Sequence, residues 1–218
     1  TFNINRPNFS QFKGSLLLYI VAALLLIILV TKSTITIRSG QGGVLYKTFD
    51  GGVVTQTTYG EGFHFVAPWN KMIIYEVRQQ EVFEKMDVLS SNGLDIKLDA
   101  SAWFQPDYEN LGKLHQEKGE MYKERILLPA IRSAARSVVG RYTPEQLYST
   151  KRDAIQNEIF EEMKKKVEKQ YVQLNAVLVR NVTLPVKIKN YIEKKLGQEQ
   201  ETLEYEFRLE KAKKEAER

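Results

Sequence analysis

The chain has no cysteine among its 218 residues. That excludes disulfide bridges, thiolate metal sites and thiol nucleophiles, and it leaves the redox compartment open. Histidine is nearly as scarce: His64 and His115 lie in different segments, so no imidazole and thiolate set for a structural zinc can be assembled. Three motifs are also missing, His-Glu-x-x-His, Gly-x-x-x-x-Gly-Lys-Ser/Thr and Gly-x-Ser-x-Gly. Gly40-Gln41-Gly42-Gly43 has the glycines of a phosphate loop, but no lysine-serine pair opens a helix after it. Asp95 and Asp99 fall on the same parity of an alternating segment, which reads as wet strand surface and not as an acid and base pair. Segregated charge is lacking too. The net charge is +5, yet most lysines sit among glutamates, as in Glu161-Glu162-Met163-Lys164-Lys165-Lys166, so nucleic acid is not implied as a partner. No catalytic, cofactor-binding or metal-ligating residue is expected, and an enzyme is disfavoured. The competing enzyme reading would be a membrane-anchored hydrolase built on an antiparallel core.

What the chain does have is one long apolar run. Leu16 to Val30, with Leu25 near its middle, carries no charge, proline or glycine, and the uncharged stretch between Lys13 and Lys32 is about 18 residues. A helix needs ~20 such residues to cross hydrocarbon. A buried core helix of this length would show a polar face, and none appears. A signal peptide would end in a small-x-small pattern, which Val30-Thr31-Lys32-Ser33 does not supply. A re-entrant hairpin would need a breaker mid-run. The reading is a single membrane span over residues 14–31, preceded by a polar tail over residues 1–13 whose Phe2, Phe9 and Phe12 suit the headgroup level. Arg6 and Lys13 before the span balance Lys32 and Arg38 after it, so flanking charge does not set the orientation. Thr1 in place of methionine, and the end at Ala216-Glu217-Arg218, read as an interior piece of a longer chain.

From Ser33 the texture is β. Thr34 to Arg38 alternates, Gly40 to Gly43 breaks the pattern, Val44 to Phe49 resumes it, and Asp50-Gly51-Gly52 is a hairpin signal. Val53 to Tyr59, Phe63 to Val66, Met72 to Arg78 and Val82 to Leu89 read as further short strands. A long strand then alternates Leu94, Ile96, Leu98, Ala100, Ala102 and Phe104 against Asp95, Lys97, Asp99 and Ser101. One wet face and one buried face predict a mostly antiparallel sheet.

Beyond Pro106 the period is helical. Tyr108 to Gln116 and Met121 to Val139 are predicted helices, the second interrupted by Pro129 and closed by Gly140. Thr143-Pro144-Glu145-Gln146 supplies an N-cap, a first-turn proline and a capping-box glutamine. Ile155, Ile159, Met163, Val167 and Tyr171 recur every four residues, the stripe of a helix laid on the sheet. Leu174 to Thr183 reads as a last strand. Pro185 opens a final, heavily charged helix over residues 185–218 with a narrow seam of Ile188, Ile192, Leu196, Leu203 and Phe207. Such a helix spans roughly 50 Å and is too weakly striped to stand alone, so lateral packing between copies is expected.

Gly60-Glu61-Gly62-Phe63-His64-Phe65-Val66-Ala67-Pro68-Trp69 resembles the G-x-G-x-H-F-x-x-P-W motif of prohibitins and their SPFH relatives, the stomatins, flotillins and the HflK/HflC pair. Arg125 to Val139, with its internal proline, and Tyr142-Thr143-Pro144-Glu145-Gln146-Leu147 resemble the helix and turn that follow in that family. The single amino-terminal span is similar to the prohibitin or HflC arrangement. The resemblance implies an α+β architecture: an amino-terminal transmembrane helix, an SPFH (band 7) domain over residues 33–184, and the start of a coiled-coil-like assembly helix over residues 185–218. Within the domain, residues 33–105 are mainly β and residues 106–184 α/β. It further implies a scaffold whose copies form rings or cages on the membrane and restrain an AAA protease of the FtsH type. A bacterial inner membrane is the implied location, with the domain outside the cytoplasm. The alternative is a low-copy lipid-binding or stress-response adaptor.

The motif has its own physical reading as a structural corner. Gly60 and Gly62 would supply permissive backbone angles, Pro68 would end a strand, Trp69 would cap the core, and His64 would be a hydrogen-bonded structural histidine. Arg125, Arg132 and Arg136, at spacings of seven and four, are candidate contacts to acids of a neighbouring copy or to anionic lipid, a solvated face being the alternative. Glu204 and Glu210 on the last helix are candidate assembly contacts.

Overall fold

The structure is a computed structural model that describes residues 9–216. The tail reading of residues 1–8, with Phe2 and Arg6, lies outside the described residues. The chain divides into two compact units, one running to Arg78 and including Pro106–Glu120, the other comprising Gln79–Gln105 and Met121–Arg218.

The first unit begins with α1 (Phe9–Ser33), so helix starts ahead of residue 14 and ends past residue 31. Its Leu16–Ser33 segment, of mean hydropathy 2.5, is long and apolar enough to cross a membrane, and almost none of it is buried. A helix packed into a core would have lost that exposure. Helix passes directly into β1 (Thr34–Ile37), which pairs antiparallel with β4 (Gly62–Phe65). A second sheet has the order β3-β2-β5, from β2 (Gln41–Lys47), β3 (Gly52–Val53) and β5 (Lys71–Glu76). The Asp50-Gly51-Gly52 hairpin forms as expected, with Gly51 and Gly52 at φ +77° and +73°.

Two expectations in this unit need correction. Gly42 and Gly43 do not break a strand; they lie inside β2, because a Cβ on Gly42 would sit 2.6 Å from Leu111 Cδ1, and one on Gly43 2.6 Å from Ile37 Cδ1. Here glycine provides close approach and not a turn. Val53 to Tyr59 is a strand only at its start; beyond it the backbone loops, held by a Gly43–Tyr59 bridge and by Val54 N–H on Leu45 C=O. Helix α2 (Leu111–Lys118) starts three residues later than expected. The Asp107 carboxylate accepts from Glu109 N–H (3.1 Å) and from the Asn110 amide (2.6 Å), holding residues 107–110 in a turn that competes with helix. The core of this unit gathers Ile37, Val44, Leu45, Val66, Tyr75, Leu111 and Leu114.

The second unit is a three-stranded sheet of order β6-β7-β8, formed by β6 (Gln80–Leu89), β7 (Asp95–Pro106) and β8 (Val172–Thr183). β6 and β7 pair antiparallel from Gln80↔Phe104 to Leu89↔Asp95. The expected alternation holds where Ile96, Leu98, Ala100, Ala102 and Phe104 are buried and Asp95 and Lys97 are exposed, but it fails at Ser101, which is fully buried on the expected wet face, with Asp99 half-buried beside it. In β8 the buried parity switches between Leu174 and Val177. Helices α3 (Leu128–Val139) and α4 (Arg152–Val167) pack on each other and on the sheet. Ile155, Ile159, Met163 and Val167 of α4 are all buried, each worth ~1.5–3 kcal/mol.

The proline in the long helix is accommodated by a π-helical turn, Lys123–Leu127, in which Leu128 N–H reaches back five residues to Lys123 C=O. A proline ring at 129 would collide with the carbonyl four residues before it in a regular helix, and the widened turn lies at that carbonyl. Gly140 follows α3 with an ordinary right-handed φ of −60°, so its left-handed freedom is not used. The capping box forms reciprocally: Thr143 N–H donates to Gln146 Oε1 (3.0 Å) and Gln146 N–H to Thr143 Oγ1 (3.4 Å). The last element, α5 (Val186–Ala216), is a single charged helix of 31 residues, ~46 Å long. Of its expected seam, Ile192 is buried and Ile188 and Leu196 half-buried, whereas Leu203 and Phe207 are exposed.

Candidate functional site

The glycine-histidine corner lies in the first unit. Gly62 has φ +117°, outside the comfortable range of a residue with Cβ, whereas Gly60 has no positive φ; a Cβ there would lie 3.2 Å from the Tyr108 hydroxyl. His64, half-buried, donates Nε2–H to Gly60 C=O at 2.7 Å and meets the Tyr59 ring edge-on at 5.6 Å. Val66, 5% exposed, is the apolar anchor, and its N–H donates to Ser33 C=O at 2.7 Å. The motif's rings are not core residues. Phe63, Phe65 and Trp69 are 68%, 70% and 55% exposed, which overturns the reading of Trp69 as a cap on the core. Strand parity is the reason: His64 and Val66 take the inner face, so Phe63 and Phe65 take the outer one. Trp69 instead lies 6.4 Å from the Phe49 ring, its carbonyl accepting from the Thr48 hydroxyl, just beyond Pro68.

His115 shares a 2.7 Å hydrogen bond between Nδ1 and the Tyr75 hydroxyl, an attachment of α2 to β5. Among the described residues no group of three or more histidine, cysteine, aspartate or glutamate side chains could hold a metal ion.

The arginines of the second unit do not form one face. Arg125 lies in the π-helical turn, which shifts the helical phase before Arg132. Arg132 Nε donates to Glu84 Oε1 of β6 at 2.5 Å, a contact within the chain, while Arg136 is exposed. Two arginines that carry no motif matter more to the fold. Arg152 Nη2 donates to the carbonyls of Val179 (2.7 Å) and Arg180 (2.8 Å), tying the start of α4 to β8, and Gln156 Oε1 accepts from Val179 N–H. Arg180 pairs with Glu81 while lying over the Phe83 ring at 5.6 Å. The nearby Ser101 hydroxyl, and then Arg180, hold the Glu81 carboxyl below the usual carboxylate range against the opposing effect of burial. Pairing between elements distant in sequence, with no spacing to mark it, left both arginines invisible to motif reading.

Helix α5 is docked only at its start. Lys195 Nζ donates to Glu145 at 3.0 and 3.2 Å, which raises the lysine's pKa, and the Tyr148 hydroxyl donates to Glu193 at 3.1 Å. Glu204 and Glu210 pair within the helix, with Arg208 (2.5 Å) and Lys214 (2.7 Å). From Gly197 to Glu215 every residue is exposed.

Antiparallel sheets, helices packed on two of them and a long carboxyl-terminal helix leading out of the last strand make up the fold. Residues 35–216 match the profile of the SPFH domain / Band 7 family, and the chain belongs to that family. Within it the chain is prohibitin-like. It is 27% identical to Prohibitin-2, mitochondrial, of Arabidopsis thaliana, over 84% of this chain and 63% of that protein. It is 26% identical to Prohibitin-1 of Saccharomyces cerevisiae, over 82% of this chain and 62% of that protein. It is likewise 26% identical to Prohibitin-2 of Mus musculus, over 85% and 62%. The chain thus spans about three-fifths of the length of these relatives.

Proposed function

We propose that this chain is a membrane-anchored SPFH scaffold, held by α1 in the bilayer and assembled side by side with further copies through α5 into a ring or cage. The assembly organises a membrane patch and regulates an FtsH-type AAA membrane protease by controlling access. The amino terminus lies in the cytoplasm and the SPFH domain on the far side, in a bacterial periplasm or an equivalent space. No chemistry is assigned to the chain. The observation that carries the reading is apolar surface at both ends that the body leaves uncovered: the Leu16–Val30 side chains, and Leu203, Tyr205, Phe207 and Leu209 on the distal half of α5. Bilayer satisfies the first and neighbouring helices the second.

Electron microscopy of the detergent-extracted protein tests assembly: large discrete particles are expected, and small ones would favour the low-copy adaptor. Pulse-chase turnover of membrane substrates tests the regulatory role. Charge reversal at Glu204 and Glu210 is expected to change turnover as much as deletion does, and His64→Asn only as far as it lowers stability. A His64→Asn variant that loses the effect while folding and assembling normally would reveal a chemical site and overturn the scaffold reading.

A further inference from the structure

The sheet of the second unit has the order β6-β7-β8, so β6 and β8 each have one side without a neighbouring strand. On β8 that side is closed at Val179, whose N–H donates to Gln156 Oε1 and whose C=O accepts from Arg152 Nη2, both reaching over from α4. On β6 the free side follows from the hairpin. Ser90 N–H donates to Leu94 C=O at 3.0 Å, and this pair continues the register that ends at Leu89↔Asp95, so it is a hydrogen-bonded pair. Bonded and non-bonded pairs alternate in an antiparallel ladder. Even-numbered residues of β6 therefore bond to β7, and Glu81, Phe83, Lys85 and Asp87 turn their N–H and C=O groups the other way. Among the described residues no backbone group of another element bonds to them, and all four residues are exposed. The strand runs ten residues in unbroken register, with no proline, glycine or bulge to blunt it. Such an edge is a template for another strand.

The side chains beside this edge say what would pair with it. Met86 and Val88 are buried beneath the helices, so Phe83, Lys85, Asp87 and Leu89 line the opposite, open face. Phe83 is held in place, with the Arg180 guanidinium 5.6 Å and the Lys85 ammonium 5.7 Å from its ring centre. Charge alternates across the strands: Asp99 of β7 stands opposite Lys85, and Lys97 opposite Asp87. A further strand that continued those rows would set an acid against Lys85, a base against Asp87, and apolar residues against Phe83 and Leu89. A second copy of the chain does not fit there. Helix α3 packs on β6, with Arg132 on Glu84, and α4 packs on β8. Helices need 8–10 Å between axes, whereas adjoining strands lie ~4.8 Å apart, so copies joined edge to edge would drive these helices into each other. What fits is an extended segment with no helix above it.

We propose that the open edge of β6 is a docking site for an extended segment of a partner polypeptide, which adds antiparallel as a fourth strand. Backbone hydrogen bonds to Glu81, Phe83, Lys85 and Asp87 hold it, and the order apolar-x-base-x-acid-x-apolar along the segment selects it. This site stands apart from the scaffold reading, since it needs neither α1 in a bilayer nor α5 against a neighbour.

The test uses the full-length protein in detergent and a fluorescent synthetic peptide, Val-Thr-Lys-Thr-Glu-Thr-Leu, beside a second peptide in which Lys replaces the Glu. By anisotropy the wild type is expected to bind the first peptide severalfold more tightly than the second, and Lys85→Glu to reverse that order. Methylating the backbone nitrogens of the peptide's Lys and Glu, which face β6 in the antiparallel register, is expected to weaken binding about tenfold or more. Methylating those of its Thr residues, which face away, should change it far less. Hydrogen exchange read by mass spectrometry should find the outward amides of β6 open in the free protein and slowed by the first peptide. Binding that survives methylation of the Lys and Glu amides, or no binding of either peptide, would overturn strand addition without any change to the protein. Equal binding of both peptides to wild type and Lys85→Glu would overturn the selection rule. Outward amides already protected in the peptide-free protein would overturn the open edge itself, in favour of one covered by another copy.

Discussion

Removing residues 199–218 should separate folding from the proposed assembly. In the single chain the segment from Glu199 to Glu215 has no buried residue, and the ties from α5 to its unit, Ile192, Glu193 and Lys195, all precede it. Its loss should leave the stability of the body within the ~0.5 kcal/mol typical of surface changes. Assembly has more at stake. Leu203, Tyr205, Phe207 and Leu209 are 57–71% exposed, so burying what remains of each is worth about three-fifths of the ~1.5–3 kcal/mol for a full side chain, or ~4–8 kcal/mol per copy. Association costs ~4–15 kcal/mol, so one pair of helices is near break-even, and only copies contacted on both sides gain enough. The truncated protein should melt at the temperature of the full chain by circular dichroism, yet sediment as a far smaller species in detergent. A truncated chain that sediments as the same large particle would refute the reasoning and place closure in the SPFH domain.

Leu25→Arg puts a charge near the middle of the apolar helix, at ~3 kcal/mol on insertion scales; the variant should leave the membrane fraction, and resistance to carbonate extraction would count against the span. Ile159→Ala empties a fully buried site between α4 and the sheet and should cost ~2–5 kcal/mol, read as a lowered urea midpoint. For Glu81, whose folded pKa is depressed, the contribution to stability is present above the unfolded value near ~4.3 and is lost as pH falls through the lowered value. The wild type should therefore exceed Glu81→Gln in urea midpoint at neutral pH, and the two should converge in acid.

The elements that were legible in the sequence are those whose periodicity reports burial directly. β7 alternates because one of its faces is dry, and α4 repeats every four residues because a single stripe meets the sheet. Gly42 and Gly43 misled because a glycine kept for close packing looks the same in sequence as one kept for a turn. Trp69 misled because large aromatic residues are usually core residues, while it lies in the turn after Pro68, beyond the strand, with its ring against Phe49. Arg132 looked available to a partner until Glu84, 48 residues away, was brought against it. The Arg152 clamp needs carbonyls 27 and 28 residues distant, and no local pattern encodes it.

Between α1 and β1 there is not one spare residue: Ser33 closes the helix through its hydroxyl on Leu29 C=O, and its own carbonyl already holds β4. A joint that swivels needs a run of unbonded backbone on which φ and ψ can turn freely, and here the strand starts at the residue after the helix. Rotation of the apolar helix about its axis must therefore turn the ribbon with it, as a crankshaft turns its arm. A change in bilayer thickness that tilts α1 would be delivered to the β1/β4 pair as torque, without loss in a slack linker.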